Sequence, residues 1–455
     1  MSKSPSRRKR KSSKEVASED PPIGTELARV FDFVGDADGI EEYRLKSNGL
    51  QVLYMRQGIA PVATTMITYR VGSRNESAGL TGATHFLEHL MFKGTERFNR
   101  RRGTSIFEVL QSVGAQVNAT TWLDRTNYYE MMESEHLSLA LDIESDRMRN
   151  ALLNEEDVES ERTVILNEFD RGENESQRRL FHLLWSTAFI AHPYRHPTIG
   201  WRSDIESVTA ADLRNFYDTY YWPNNATLSI IGGVERVEAL KQVADRFGPI
   251  SSSPLNIPDV TTREPLQSGE RRFELNMSGE VGSVVMGYHT PGGRHGDADA
   301  LGVLSMILSG GKTSRFYRAL TDTGLAAYAH ASSMTLRDSG LFILIASPAD
   351  GIDNASIESA LDRELDRVIQ EGVEQGELSL AKKQVRTQTL FGRDSSYAIA
   401  AQLNEAIATG DWRLYAGQLD RVEALSKEDI DRVARTYLAK DARSVGYLNP
   451  VRQGT

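Results

Sequence analysis

Four prolines, Pro249, Pro254, Pro258 and Pro265, fall within 17 residues near the middle of a 455-residue chain, with Ser251, Ser252 and Ser253 among them. Proline fixes its own φ and has no amide proton, so neither a helix nor a central strand runs through such a stretch. The segment 249–270 therefore reads as an extended linker, and each flank has to bury a core of its own. At about 100–200 residues per domain, both flanks are long enough to do so. The reading divides the chain into a tail (1–24), a first domain (25–248), the linker and a second domain (271–455).

The flanks carry matching punctuation. Thr209 is followed by Asp212, Leu213 and Tyr220, and Ser426 by Asp429, Ile430 and Tyr437, at an offset of 217 residues. A hydroxyl at the N-cap with an acid three residues on is a capping-box pattern, and each copy precedes a last strand of its half. A duplicated domain follows, and with it a clam-shaped molecule with a cleft. In the first flank, strands are expected around a turn at Asn48-Gly49, at Val62–Tyr69, at Gln116–Thr121, at Thr126–Met131 and at Ala226–Ile231. Helices are expected near Thr81–Phe92, Ser105–Val113 and His136–Ala151, then as one long run from Glu155 to about Phe189, and at Thr209–Tyr220. The second flank shows strands at Phe273–Met277 and Ser283–Tyr288, with helices near Ala298–Leu308 and Ser314–Leu320.

Hydrophobic residues make up 40% of the chain and charged residues 25%, a balance that excludes collagen-like and disordered classes. There is no cysteine, hence no thiolate zinc finger, iron–sulfur cluster or cysteine nucleophile. No run of about 18 apolar residues offers a membrane span. Residues 1–22 hold seven Lys/Arg against three acids, so of the net −10 they carry +4 and the rest −14. An acidic body repels nucleic-acid phosphates. The basic opening Arg7–Lys11 lacks an apolar segment, so it reads as a solvated tail rather than a secretory signal or a nucleic-acid patch, and a cytoplasmic location is expected.

The chemistry concentrates in Thr84-His85-Phe86-Leu87-Glu88-His89-Leu90. Residues four apart on a helix share a face, so His85 and His89 can aim both imidazoles at one ion, with Glu88 beside them. Two neutral nitrogens and one or two carboxylate oxygens suit Zn2+, which in catalytic sites keeps a position for water. Glu88 is then placed to act as general base on that water. The bland alternative is a chance pair of helical histidines, but H-x-x-E-H is the inverted zinc-peptidase order and more demanding than the pair alone. A third ligand is available in Glu161-Arg162-Thr163-Val164-Ile165-Leu166-Asn167-Glu168, where Glu161 and Glu168 lie two helical turns apart on one face. Glu168 closes an apolar run, whereas Glu155, Glu156, Asp157 and Glu159 read as a solvated face.

With a glutamate 79 residues after the second histidine, and with Gly114-Ala-Gln-Val-Asn118-Ala119-Thr, His192-Pro-Tyr194, Thr198-Ile-Gly200 and Asn224-Asn-Ala-Thr-Leu228, the chain resembles the pitrilysin, insulin-degrading enzyme and mitochondrial processing peptidase family, in its short two-repeat bacterial form. The resemblance covers about residues 40–450. It implies an α+β fold of two homologous domains, each a mixed sheet with helices packed on it. It implies that His85, His89 and Glu168 bind one zinc, that Glu88 is the general base, and that Glu161 steadies the site. It also implies that Asn118 and Ala119 lie on an edge strand that pairs with an extended peptide, and that the activity is zinc endopeptidase. The rival reading is an inactive scaffold subunit of the same fold, like the core subunits of the respiratory bc1 complex.

The second half has no zinc motif. Relatives place an Arg four residues before and a Tyr three after the Gly of a Gly-Leu-Ala motif. Around Gly324-Leu-Ala326 those places hold Leu320 and Ala327, with Arg318 two places early and Tyr328 one late. Tyr328 is kept as a substrate-binding candidate, and the departure implies a partner, a sister chain or a second copy, that completes the site. Gly311-Lys312-Thr313 mimics the end of a phosphate loop, but Met306 occupies the place of the required glycine, so no nucleotide site follows.

Overall fold

The computed structural model describes residues 24–58 and 60–451. The basic run Arg7–Lys11 lies outside them. Seven strands form the first sheet: β1 (Phe31–Ala37), β2 (Ile40–Leu45), β3 (Gln51–Arg56), β4 (Val62–Tyr69), β5 (Gln116–Thr121), β6 (Thr126–Glu133) and β7 (Ala226–Gly232). The second holds β8 (Arg271–Ser278), β9 (Ser283–His289), β10 (Ala326–Ser333), β11 (Leu341–Pro348) and β12 (Arg443–Val451). Both sheets are mixed, with β3 parallel to β7 and β12 parallel to β8 while the other pairs run antiparallel.

Strand order exposes the duplication. The first sheet runs β1-β2-β3-β7-β4-β6-β5 and the second β10-β11-β9-β12-β8. Read from β8, the second repeats the path β3-β7-β4-β6-β5 of the first, strand for strand. The two capping boxes close identically: Asp212 N donates to Thr209 Oγ1 and Asp429 N to Ser426 Oγ, both at 3.2 Å, while each carboxylate accepts from the cap amide. No helix or strand occurs in 251–270.

Each sheet is apolar on both faces, and period-2 alternation sorts the side chains. In β3, Val52 and Tyr54 face a core built with the helices Ala83–Leu90, Leu137–Asn150, Ala210–Tyr220 and Arg236–Phe247, while Leu53 faces the other way. That other face is covered by a helix from the second half, Ser396–Thr409, through Ile399, Leu403 and Ile407. The exchange is reciprocal. Helix Ser176–Ala188 of the first half lays Leu180, Leu184 and Trp185 on Leu275, Val285, Ile343 and Leu448 of the second sheet. This is why the long helical run expected from Glu155 to Phe189 breaks: Glu155–Glu173 ends at Asn174, and the chain restarts in a new direction toward the other sheet. Near Ser314–Leu320 the expected α-helix is instead a π-helical turn over Tyr317–Thr321.

Candidate metal centre and active site

The helix Ala83–Leu90 is pinned at its start. Gly82 has φ of 85°, and a Cβ there would sit 2.4 Å from the Ile199 carbonyl oxygen; a Cβ at Gly200 would meet the Thr81 carbonyl oxygen at 2.3 Å. Only glycine allows that backbone-to-backbone approach. The buried carboxylate of Glu76 accepts from Gly82 N and Thr84 N, both at 2.8 Å, which satisfies two amides of the helix start. Burial raises the Glu76 pKa to about 8. No spacing rule flagged Glu76, because its role depends on a turn that folds it back onto the helix.

From that fixed start His85 and His89 stand one turn apart, ring centroids 4.8 Å from each other. Helix Glu155–Glu173 packs alongside, burying Val158 and Ile165 in the core shared with Phe86, Leu87 and Leu90. That contact turns Glu161 and Glu168 toward the histidines. His85 Nε2 lies 3.7 Å and His89 Nε2 3.8 Å from the same oxygen, Glu168 Oε2. Potential ligand atoms of the three residues lie within 4.8 Å of one another. Ligands about 2.1 Å from a tetrahedral ion stand roughly 3.4 Å apart, so small side-chain adjustments suffice.

For His85, protonation suits the same use. Burial, reinforced by His89 and Arg178, lowers the His85 pKa to about 3, which leaves a neutral imidazole with a lone pair. For His89, burial pulls downward but the Glu161 hydrogen bond and the neighbouring carboxylates outweigh it, and the net shift is upward. His89 Nδ1 lies 3.0 Å from Glu161 Oε2, and Lys93 pairs with the other Glu161 oxygen. The His89 hydrogen bond, with help from Lys93, lowers the Glu161 pKa. Glu88 is shifted up by burial, against the pull of a hydrogen bond from Thr121 Oγ1 at 2.5 Å. The donor set fits zinc. Among the described residues a second cluster, Glu133, Glu135 and His136, could also hold an ion, but its two carboxylates are exposed and all three residues are near neighbours in sequence.

Asn118 and Ala119 lie on β5, the free edge of the first sheet. Asn118 is exposed and lines a cavity of about 1180 Å³ that also contains Glu88, His89 and Glu161; the Ala119 methyl is buried in the core. Tyr328 lies on β10, the corresponding edge of the second sheet, half-exposed and stacked on His330. It is not among the residues lining the cavities beside the histidine cluster. A β-bulge absorbs its displacement in sequence: Ala326 pairs with Pro348 and Tyr328 with Ser347, so Ala327 is the extra residue. Tyr328 thereby takes the pairing position that residue 327 would hold in a regular strand. Arg318 sits in the π-helical turn and lines a separate cavity with Glu364 and Glu374.

Residues 51–201 match the family described as Insulinase (Peptidase family M16), and residues 207–385 match the Peptidase M16 inactive domain. The chain belongs to peptidase family M16. Its order of halves, active-type then inactive-type, agrees with the zinc motif's presence in the first half alone. Among M16 relatives, the zinc protease PqqE of Helicobacter pylori is 28% identical over 89% of this chain and 91% of its own. A probable mitochondrial-processing peptidase subunit beta of Arabidopsis thaliana is 26% identical over 89% of this chain and 77% of its own. The crystal structure of a Helicobacter pylori protease superposes with a TM-score of 0.85 at 28% identity, covering 90% of this chain and 99% of that one. The periplasmic protease PqqL of Escherichia coli shares the fold, with a TM-score of 0.76 at 18% identity, over 92% of this chain and 48% of that one.

These comparisons overturn the cytoplasmic location. Relatives named as periplasmic and as mitochondrial carry the same fold, so nothing in the folded domains ties it to the cytoplasm. An address is read by a receptor from a short segment and leaves no mark on the packed core. Among the described residues no helix is long and apolar enough to cross a membrane.

Proposed function

We propose that this M16 chain is a zinc-dependent endopeptidase acting on peptides and unfolded polypeptide segments. The observation that carries the reading is the convergence of His85 Nε2 and His89 Nε2 on one oxygen of Glu168, with Glu88 on the same helix. In this reading His85, His89 and Glu168 hold one zinc ion, which when bound polarises the scissile carbonyl and acidifies water. Glu88, shifted up by burial, takes the proton of the attacking water and delivers it to the leaving amine; the Thr121 hydroxyl keeps its carboxylate aimed. Glu161 accepts from His89 Nδ1 and so leaves Nε2 as the bare lone pair. Among the described residues no strand lies beyond β5, so its outer edge at Asn118 and Ala119 can add an extended chain, which a folded substrate cannot supply; the Ala119 amide, which donates to Asn118 Oδ1 at 2.9 Å, would exchange that partner for the peptide.

A second subunit, a sister chain or another copy, completes this site, with Tyr328 among the substrate contacts. Two features support it. The exchanged helices Ser176–Ala188 and Ser396–Thr409 rivet the halves, so one chain cannot close over a substrate without exposing both cores. Tyr328 also lies on the edge of the other sheet, not that of Asn118, and lines neither cavity at the histidines.

The deciding experiment measures zinc content and hydrolysis of unfolded peptides for the wild type and Glu88→Gln. Stoichiometric zinc in both, with hydrolysis only in the wild type, is expected. Zinc-free protein with equal behaviour of the two would make the chain a scaffold. Light scattering beside the assay tests the partner, since full activity in a monomer would remove it.

A further inference from the structure

Next to the histidine cluster, reached through Arg178 at 3.8 Å from Glu168, lies a cavity of about 400 Å³ walled by Trp122, Phe181, Trp185 and Tyr194. Trp122 directly follows Thr121, whose hydroxyl holds Glu88, so one wall begins at the residue next to the partner of the proposed base. Three polar side chains on the helix Ser176–Ala188, Gln177, Arg178 and His182, also line it. Burial, together with Arg178 and Arg179, lowers the His182 pKa to about 4, which leaves Arg178 as the cavity's charge.

Arg178 is a cation without an adequate acceptor. Among the described residues the one acid oxygen within 4.0 Å of it is Glu168 Oε1, at 3.8 Å, beyond hydrogen-bond reach. Its neighbour Arg179 instead faces Glu173 at 3.5 Å. The Arg178 guanidinium lies flat against Gly172, where a Cβ would approach it to 2.9 Å, so its direction is set by the helix break. A fork of N–H donors among aromatic walls favours a planar carboxylate, and low local polarity strengthens that pairing.

We propose that this cavity is a specificity pocket in which Arg178 receives an acidic side chain, glutamate or aspartate, of the bound peptide close to the scissile bond. The inference rests on the peptidase reading for its setting, but its test reads binding and not turnover. Full-length Glu88→Gln protein is titrated with ten-residue Ala/Ser peptides carrying Glu, Gln or Lys at one central position, followed through the fluorescence of Trp122 and Trp185. The glutamate peptide is expected to bind at least tenfold more tightly than the glutamine peptide. Adding Arg178→Gln should erase that preference, and adding Arg178→Glu should turn it toward lysine.

Equal binding of the glutamate and glutamine peptides, binding of none, or a glutamate preference surviving in Arg178→Glu would overturn the proposal. So would loss of zinc affinity in Arg178→Gln with the preference intact, since Arg178 would then only position Glu168. Wild-type protein that shows the preference yet cleaves no peptide supports the pocket while removing the peptidase reading, so the two failures are separable.

Discussion

His89 Nδ1 and Glu161 Oε2 stand 3.0 Å apart, while Nε2 of the same ring faces Glu168. One imidazole is thus held at one nitrogen and presented at the other. Truncation of Glu161 to alanine frees the ring and leaves Lys93 beside it without its counter-ion. Glu161→Ala is expected to lower zinc affinity by about 10- to 100-fold, measured by chelator competition, with the metal-free protein still folded by circular dichroism.

Glu88→Gln keeps the shape of the side chain and its contact with Thr121 but removes the carboxylate proposed as the base. Hydrolysis of an unfolded peptide should fall by at least about 10²–10⁴-fold, with zinc content unchanged by metal analysis. Thr121→Val removes the hydroxyl that orients Glu88 and should lower kcat more than it raises KM, by a smaller factor.

Asp338 joins the halves across a long sequence gap, accepting from Arg74 Nη2 at 2.5 Å and lying 3.2 Å from His192 Nε2. Burial alone would raise its pKa, but the His192 hydrogen bond and the Arg74 charge outweigh that and hold it at about 2, below the ordinary 3.8. On acidification the unfolded chain therefore takes up this proton first. The contribution of Asp338 to stability is complete above about pH 4 and disappears as pH falls through about 2. Urea denaturation between pH 5 and pH 2 should show that loss, and Asp338→Asn should flatten it.

Leu184 packs directly over Gly287, where a Cβ would stand 3.1 Å from its Cδ1, and Leu403 is buried with Leu53, Met66 and Ile231 of the first sheet. Leu184→Ala and Leu403→Ala should each cost about 2–5 kcal/mol in denaturant unfolding. Because each helix belongs to one half and covers the sheet of the other, either substitution should lower the midpoint of a single shared transition. Two separate transitions would show that the halves unfold independently.

Features that depend on neighbours in sequence were legible before folding. The i, i+4 spacing of His85 and His89, the capping boxes at Thr209 and Ser426, the Asn48-Gly49 turn and the strands Val62–Tyr69 and Gln116–Thr121 all reappear at or within a residue or two of the expected positions. Features set by distant partners were not. The helix ends at Asn174 because the second sheet needs a cover, and Glu76 reaches two amides only after its turn closes. Arg74 meets an acid 264 residues away.

Local spacing and the linker determined that this chain builds two halves of strands and helices, their α+β class following from the family resemblance, and that one of them carries a helix with two imidazoles and a carboxylate. Such facts follow from helix and strand periods, which operate over a few residues. Tertiary structure decided which oxygen of Glu168 faces both rings, that each half lends a helix to the other, and that a bulge at Ala327 returns Tyr328 to register. Those outcomes depend on burying apolar faces from opposite ends of the chain against each other, and no local pattern encodes which faces will meet.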